Sequence, residues 1–195
     1  AIYFAKPNML VLNIPVTGGT QQYVMHTITK SWANFTGIGA NCFELHEDNL
    51  YFGGNGFVGQ FWDENSDDGA NIKGYAQQAY SYFDARGQQK RFTMVRPILL
   101  VSGGNPTIQC GINVDFDVQN QLGAVTFNPL GTAGAWDTAI WDTSLWGSGT
   151  LVVNKQWQGV TGIGYAGGLA MSAASQGIDV HWASTDFVME KGAVL

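Results

Sequence analysis

The apolar positions of this chain fall in short runs separated by clusters of Gly, Asn, Asp and Ser. Between Trp32 and Trp62 three such runs follow one another. Trp32 and Phe35 are followed by the alternating segment Cys42 to Leu45, an acidic turn Glu47-Asp48-Asn49, the segment Leu50 to Gly54 and then Phe57 to Trp62. Alternating segments joined by tight polar turns predict an antiparallel meander. Upstream, Met9 to Ile14 is a strand closed by Pro15 and the Gly18-Gly19 turn, with Gln22 to Ile28 as its partner. The order strand, polar turn, Trp-x-x-Phe, strand, Gly-Gly, strand occurs once in full and once in part, which suggests an internal repeat. Such hairpins suit propeller blades, each burying one face against a neighbour.

The polar stretch Asp63 to Asn71 separates this region from a second one, giving expected domains of 1–70 and 71–195. Ile72 to Phe83 fits a helix face or a strand, and its β-rich flanks favour the strand. Phe92 to Val101 contains Pro97, which predicts an edge position or a bulge. From Ile108 to Val118 the period is two: Ile112, Val114, Phe116 and Val118 alternate with Asn113, Asp115 and Asp117. One buried and one wet face are expected there, with Asp115 and Asp117 on an acidic surface. Leu151 to Trp157, Thr161 to Ala174 and Ile178 to Met189 supply further strands, the last two joined at Ser175-Gln176-Gly177. The expected fold is all-β, with propeller-like antiparallel blades followed by an antiparallel β-sandwich.

Composition sharpens this picture. Only 12% of residues are charged, against about 25% in ordinary globular domains, so the outer face must be polar and uncharged or covered by other subunits. The net charge is -6. Nine basic residues without a clear cluster give no electrostatic footprint for gripping nucleic acid. Lys90-Arg91 with Arg86 and Arg96 reads as a solvated strand edge. Cys42 and Cys110 lie in apolar contexts and are expected to be buried free thiols. No apolar run is long enough for a membrane-spanning helix, and an opening on Ile2-Tyr3-Phe4 without an initiator Met is expected of a processed or partial chain.

No motif carries catalytic chemistry. Asp63, Asn65, Asp67 and Gly69 resemble the start of a calcium loop, but Asp68 and Gly74 stand where an EF-hand needs its Gly and its bidentate Glu, so no metal is expected. His26, His46 and His181 lie on separate segments without ligand spacing. The glycine pairs open no helix, which removes the phosphate-cradle mechanism. The pentads Trp136-Asp-Thr-Ala-Ile and Trp141-Asp-Thr-Ser-Leu, ending on Trp146, suit neither one strand face nor one helix face. Repeated turns presenting Trp136, Trp141 and Trp146 to a neighbouring subunit, to a sugar, or to their own domain all remain open.

Taken in order, WANFTGIGANCFELHEDNLYFGGNGFVGQFWD, GQQKRFTMVRPIL, GINVDFD, WDTAIWDTSLW and GIDVHWASTDFVMEKGAVL resemble the C-terminal part of tail nozzle or tail tubular proteins of short-tailed bacteriophages, often grouped with packaged-DNA stabilisation proteins. The resemblance covers nearly the whole chain and implies a non-enzymatic virion protein without cofactors. It implies a homo-oligomeric ring, commonly hexameric, below the portal and adaptor and beside other tail proteins, through whose lumen DNA passes without specific binding. A different class, a carbohydrate-binding β module of a tail adhesin using the three pentad tryptophans, is the alternative.

Overall fold

The computed structural model describes residues 1–102, 106–118, 122–125 and 151–194. Among them the regular structure is entirely strand, arranged in antiparallel sheets, and no helix is long and apolar enough to cross a membrane. The chain divides into two compact units, Ala1–Asp63 and Glu64–Leu195.

In the first unit, β1 (Ile2–Phe4), β2 (Met9–Val16), β3 (Gly19–His26) and β4 (Trp32–Phe35) form a meander in chain order. Val11 pairs with Ile2 on one side and Val24 on the other, so one face carries a row of aliphatic side chains. β2 runs through Pro15, which pairs with Thr20, and does not stop at it. A second sheet holds β5 (Cys42–His46), β6 (Asn49–Gly53) and β7 (Val58–Phe61), also in chain order. The two-residue turn between β5 and β6 puts Glu47 and Asp48 at φ 48° and 61°. That is the left-handed pair which matches the twist of a tight hairpin. Phe4, Val11 and Val24 from the first sheet share one core with Leu50 and Phe61 from the second, and Phe35, Phe43 and Phe52 pack around it. Each sheet alone would leave this face wet, so the hydrophobic effect joins them.

The second unit also gathers two sheets around one core. The first runs in the order β11 (Gly123–Ala124), β10 (Thr107–Val114), β14 (Gly167–Ser175), β8 (Ile72–Gln77). The segment that suited helix or strand is therefore strand over Ile72–Gln77, followed by a bridge from Ser81 to Gly167. The other sheet is built on β9 (Gln88–Ser102). β15 (Asp179–Val194) pairs along its whole length, so β12 (Leu151–Asn154) and β13 (Gln158–Gly164) share its remaining side. Val95, Leu99 and Val101 of β9 meet Ile108 and Cys110 of β10 and Leu169 and Met171 of β14 in the core.

Of the two placements expected for Pro97, β9 shows the irregular ladder and not the edge. Pro97 is not on an edge, because β9 has neighbours on both sides. It stands opposite the interruption between β12 and β13, and the register with β15 shifts beside it, between Trp182 and Ser184. A residue without an N–H is tolerated where the ladder is already irregular. A further bulge at Thr93, unpaired on both sides, moves the buried positions of β9 from Lys90 and Phe92 to Val95, Pro97, Leu99 and Val101.

Candidate functional site

The alternation through Ile112, Val114, Phe116 and Val118 outlasts its strand. β10 ends at Val114, and Asp115 and Phe116 take φ of 48° and 65° in a tight turn closed by the Asp117 amide donating to the Val114 carbonyl at 2.9 Å. Asp115 and Asp117 are both exposed, but on a turn and not along one strand face. Oδ1 of Asp115 accepts from the amides of Tyr165 and Ala166 at 2.7 and 2.9 Å, and its own amide donates to the Ala166 carbonyl. This carboxylate therefore ties two loops together. A Cβ on Gly164 would lie 2.6 Å from the Asp115 carboxylate, which explains a glycine there.

The expected burial fails at Asn113, Phe116 and Val118, although Asp115 and Asp117 are exposed as expected. Asn113 is 2% exposed and its amide donates to Oε1 of Gln77, whereas Phe116 is 62% exposed and Val118 is exposed with it. The Phe116 ring lies 4.6 Å from that of Tyr80 and 6.4 Å from that of Tyr82, and the Arg86 guanidinium sits 4.8 Å over Tyr82. The turn thus presents an aromatic surface flanked by the two carboxylates. An alternation read along the sequence could not reveal it, because the left-handed pair at Asp115 and Phe116 breaks the pleat.

The basic residues do not form a solvated edge. Lys90 is fully buried, and its ammonium donates to the carbonyls of Ala85, Gln88 and Tyr165, the last two at 2.9 and 2.8 Å. Three donors meet three acceptors, which is how a buried ammonium is accommodated. Arg96 donates through Nε and Nη2 to Asp186 at 2.9 and 2.6 Å and lies over the Trp157 ring. Arg91 faces Glu190 at the surface.

The remaining candidates are dispersed. In the Asp63 to Gly69 loop the Asn65 amide donates to Asp179 at 2.8 Å, its carbonyl accepts from Gly177, and the Gly69 carbonyl accepts from Gln176, so the loop is docked on the β14–β15 turn. Among the described residues no three His, Cys, Asp or Glu side chains are grouped to hold a metal. His26 accepts from the Thr29 amide in its own turn. Both cysteines are free, but only Cys110 is buried, its thiol pushed up by desolvation from 9.0 to about 11; Cys42 is exposed, contrary to expectation. Trp136, Trp141 and Trp146 lie outside the described residues.

In the first unit an open cleft of about 400 Å³ lies between the β1–β2 turn and the end of β7. Phe4 and Phe61 are its buried floor. Lys6, whose Nζ donates to Oδ1 of Asn49 at 2.8 Å, lines it, as does Gln60, whose amide donates to Asp63 at 3.0 Å. Trp62 borders it, 56% exposed and stacked nearly parallel on Phe35 at 6.3 Å. No signal in the sequence joined these residues, which come from three separate turns.

No family model, curated protein or solved structure matches this chain. What the coordinates define is an all-β protein of antiparallel sheets.

Proposed function

We propose that this chain is a non-enzymatic structural protein of a short-tailed phage virion, part of the tail nozzle or tube. In this reading the hairpins of the first unit are propeller-like blades and the second unit is a β-sandwich. Copies form a ring, most simply of six, below the portal and adaptor and against other tail proteins. DNA crosses its lumen without being specifically bound. The observation that carries the reading is the ordered resemblance of five segments to tail nozzle proteins, spread over nearly the whole chain. The physical surface supports it. Phe116 and Val118, beside the half-buried rings of Tyr80 and Tyr82, expose aromatic and aliphatic area that suits a permanent subunit contact. The described basic side chains near β9 are spent on carbonyls, carboxylates and rings, leaving few free to grip phosphates and slow a passing duplex. Asp115 and Asp117 belong to the acidic surface, and Trp136, Trp141 and Trp146 to the subunit interface.

Electron microscopy of the native assembly tests this. A ring with a central channel is expected, and Phe116→Ala or Trp141→Ala should weaken assembly by about 2 kcal/mol per interface, as truncated hot-spot aromatics do. A chain that stays monomeric at high concentration and in the presence of its neighbouring tail proteins would overturn the reading.

A further inference from the structure

We propose that the cleft of the first unit is a saccharide site that takes a pyranose ring, with Trp62 as its stacking surface. The inference rests on the first unit alone and stands or falls separately from the tail reading.

Three observations combine. Trp62 is a bulky side chain held at φ 64°, a left-handed conformation that such residues seldom adopt. Strain of this kind survives where the surrounding structure enforces it, and it gathers at ligand sites. Here the Gln60 to Asp63 hydrogen bond closes the turn over Trp62, and Phe35 supports the indole, so the ring is fixed before any ligand arrives. A fixed, half-exposed indole offers a flat apolar surface at little entropic cost.

The rim then selects the ligand class. Lys6 keeps two ammonium donors beyond its bond to Asn49, and Asn49 keeps its amide N–H groups. Gln60 keeps its carbonyl oxygen and Asp63 its second carboxylate oxygen. Donors from Lys6 and Asn49 and acceptors from Gln60 and Asp63 match the hydroxyls of a pyranose, each of which both donates and accepts. The axial C–H face of the same ring is apolar and suits the indole. Lys6 and Asp63 cancel in charge, so the cleft has no net attraction for a phosphate or nucleotide. A purely apolar partner would strand the four polar side chains. The cleft volume of about 400 Å³ lies within the roughly 300–1,000 Å³ of small-ligand sites, enough for one or two sugar rings.

The test is a glycan array of mono- and disaccharides covering neutral hexoses, deoxyhexoses, N-acetylhexosamines, uronic acids and sugar phosphates, followed by calorimetric titration with the tightest of them. Trp62→Ala should weaken binding about tenfold or more, as loss of a central aromatic does, and Asn49→Ala should weaken it less. Trp32→Ala, an equally exposed tryptophan outside the cleft, should bind as the unaltered chain does. Far-UV circular dichroism checks each fold, and if Trp62→Ala does not fold, Asn49→Ala decides. The proposal is overturned if no glycan is retained, if only phosphorylated sugars are, if the folded Trp62→Ala protein or the deciding Asn49→Ala protein binds normally, or if Trp32→Ala loses as much.

Discussion

An ammonium group withdrawn from water needs an acceptor for each proton, and Lys90 finds three in the carbonyls of Ala85, Gln88 and Tyr165. Replacing it by Met removes the charge and its bonds to all three carbonyls, of which that of Ala85 keeps the Gln88 amide as a donor. Chemical denaturation of Lys90→Met should show a loss of about 3 kcal/mol or more, whereas Arg91→Met, on the exposed face, should change stability by about 0.5 kcal/mol or less. Cys110 supplies a pH dependence. Its thiol is raised from 9.0 to about 11 by burial. Between these values the unfolded chain has released a proton that the folded one keeps. Stability is therefore full below pH 9 and falls as pH rises towards 11, by about 2 kcal/mol in all. Comparing the unfolding free energy of the parent and Cys110→Ala across that window isolates the effect, and parallel curves would refute it. The burial of Cys110 was legible beforehand and that of Lys90 was not. Lys90 sits in a Lys-Arg pair that looks like surface, and Cys42 and Cys110 have equally apolar neighbours although only one is enclosed.

Among the elements, β14 begins with two adjacent glycines, and one shows why. A Cβ on Gly168 would lie 2.8 Å from the Gln78 carbonyl oxygen, a backbone atom that cannot swing aside. The segment 78–81 is held there from both ends, since the Gln78 amide donates to the Leu169 carbonyl and Ser81 exchanges two bonds with Gly167. Gly168→Ala should therefore cost about 2 kcal/mol or more through overpacking, read as a lower thermal midpoint. Gly74→Ala, with open space around it, should be near neutral by the same measurement. The hairpins of the first unit could be read from the sequence because alternation and turn chemistry are local signals. β9 could be read as irregular at Pro97 but resisted such a reading at Thr93, where the bulge is absorbed by neighbours far away in sequence. The Asp115 turn resisted it because the alternation of apolar residues runs on after the strand has stopped.

At the scale of the whole molecule, two cores in two units predict two separable unfolding events. Leu50 is fully buried in the first core, and Leu50→Ala should cost about 3 kcal/mol there. Differential scanning calorimetry should show one transition moved down and the other unmoved; a single transition shifting as a whole would mean that the units unfold together. The all-β class was legible from the spacing of apolar runs and turns, whereas the cleft at Trp62 was not, since it depends on which turns meet. The long pairing of β9 with β15 has a consequence in time. β9 leaves the ribosome well before β15, and β12, β13 and β14 are made in between. Throughout that interval one flank of a strand carrying Val95, Leu99 and Val101 has no ladder partner from β15. Bare strand edges of this kind invite pairing with other chains. The second unit therefore completes its fold only once β15 has been made, and its yield in a cell depends on whatever shields nascent chains until β15 arrives.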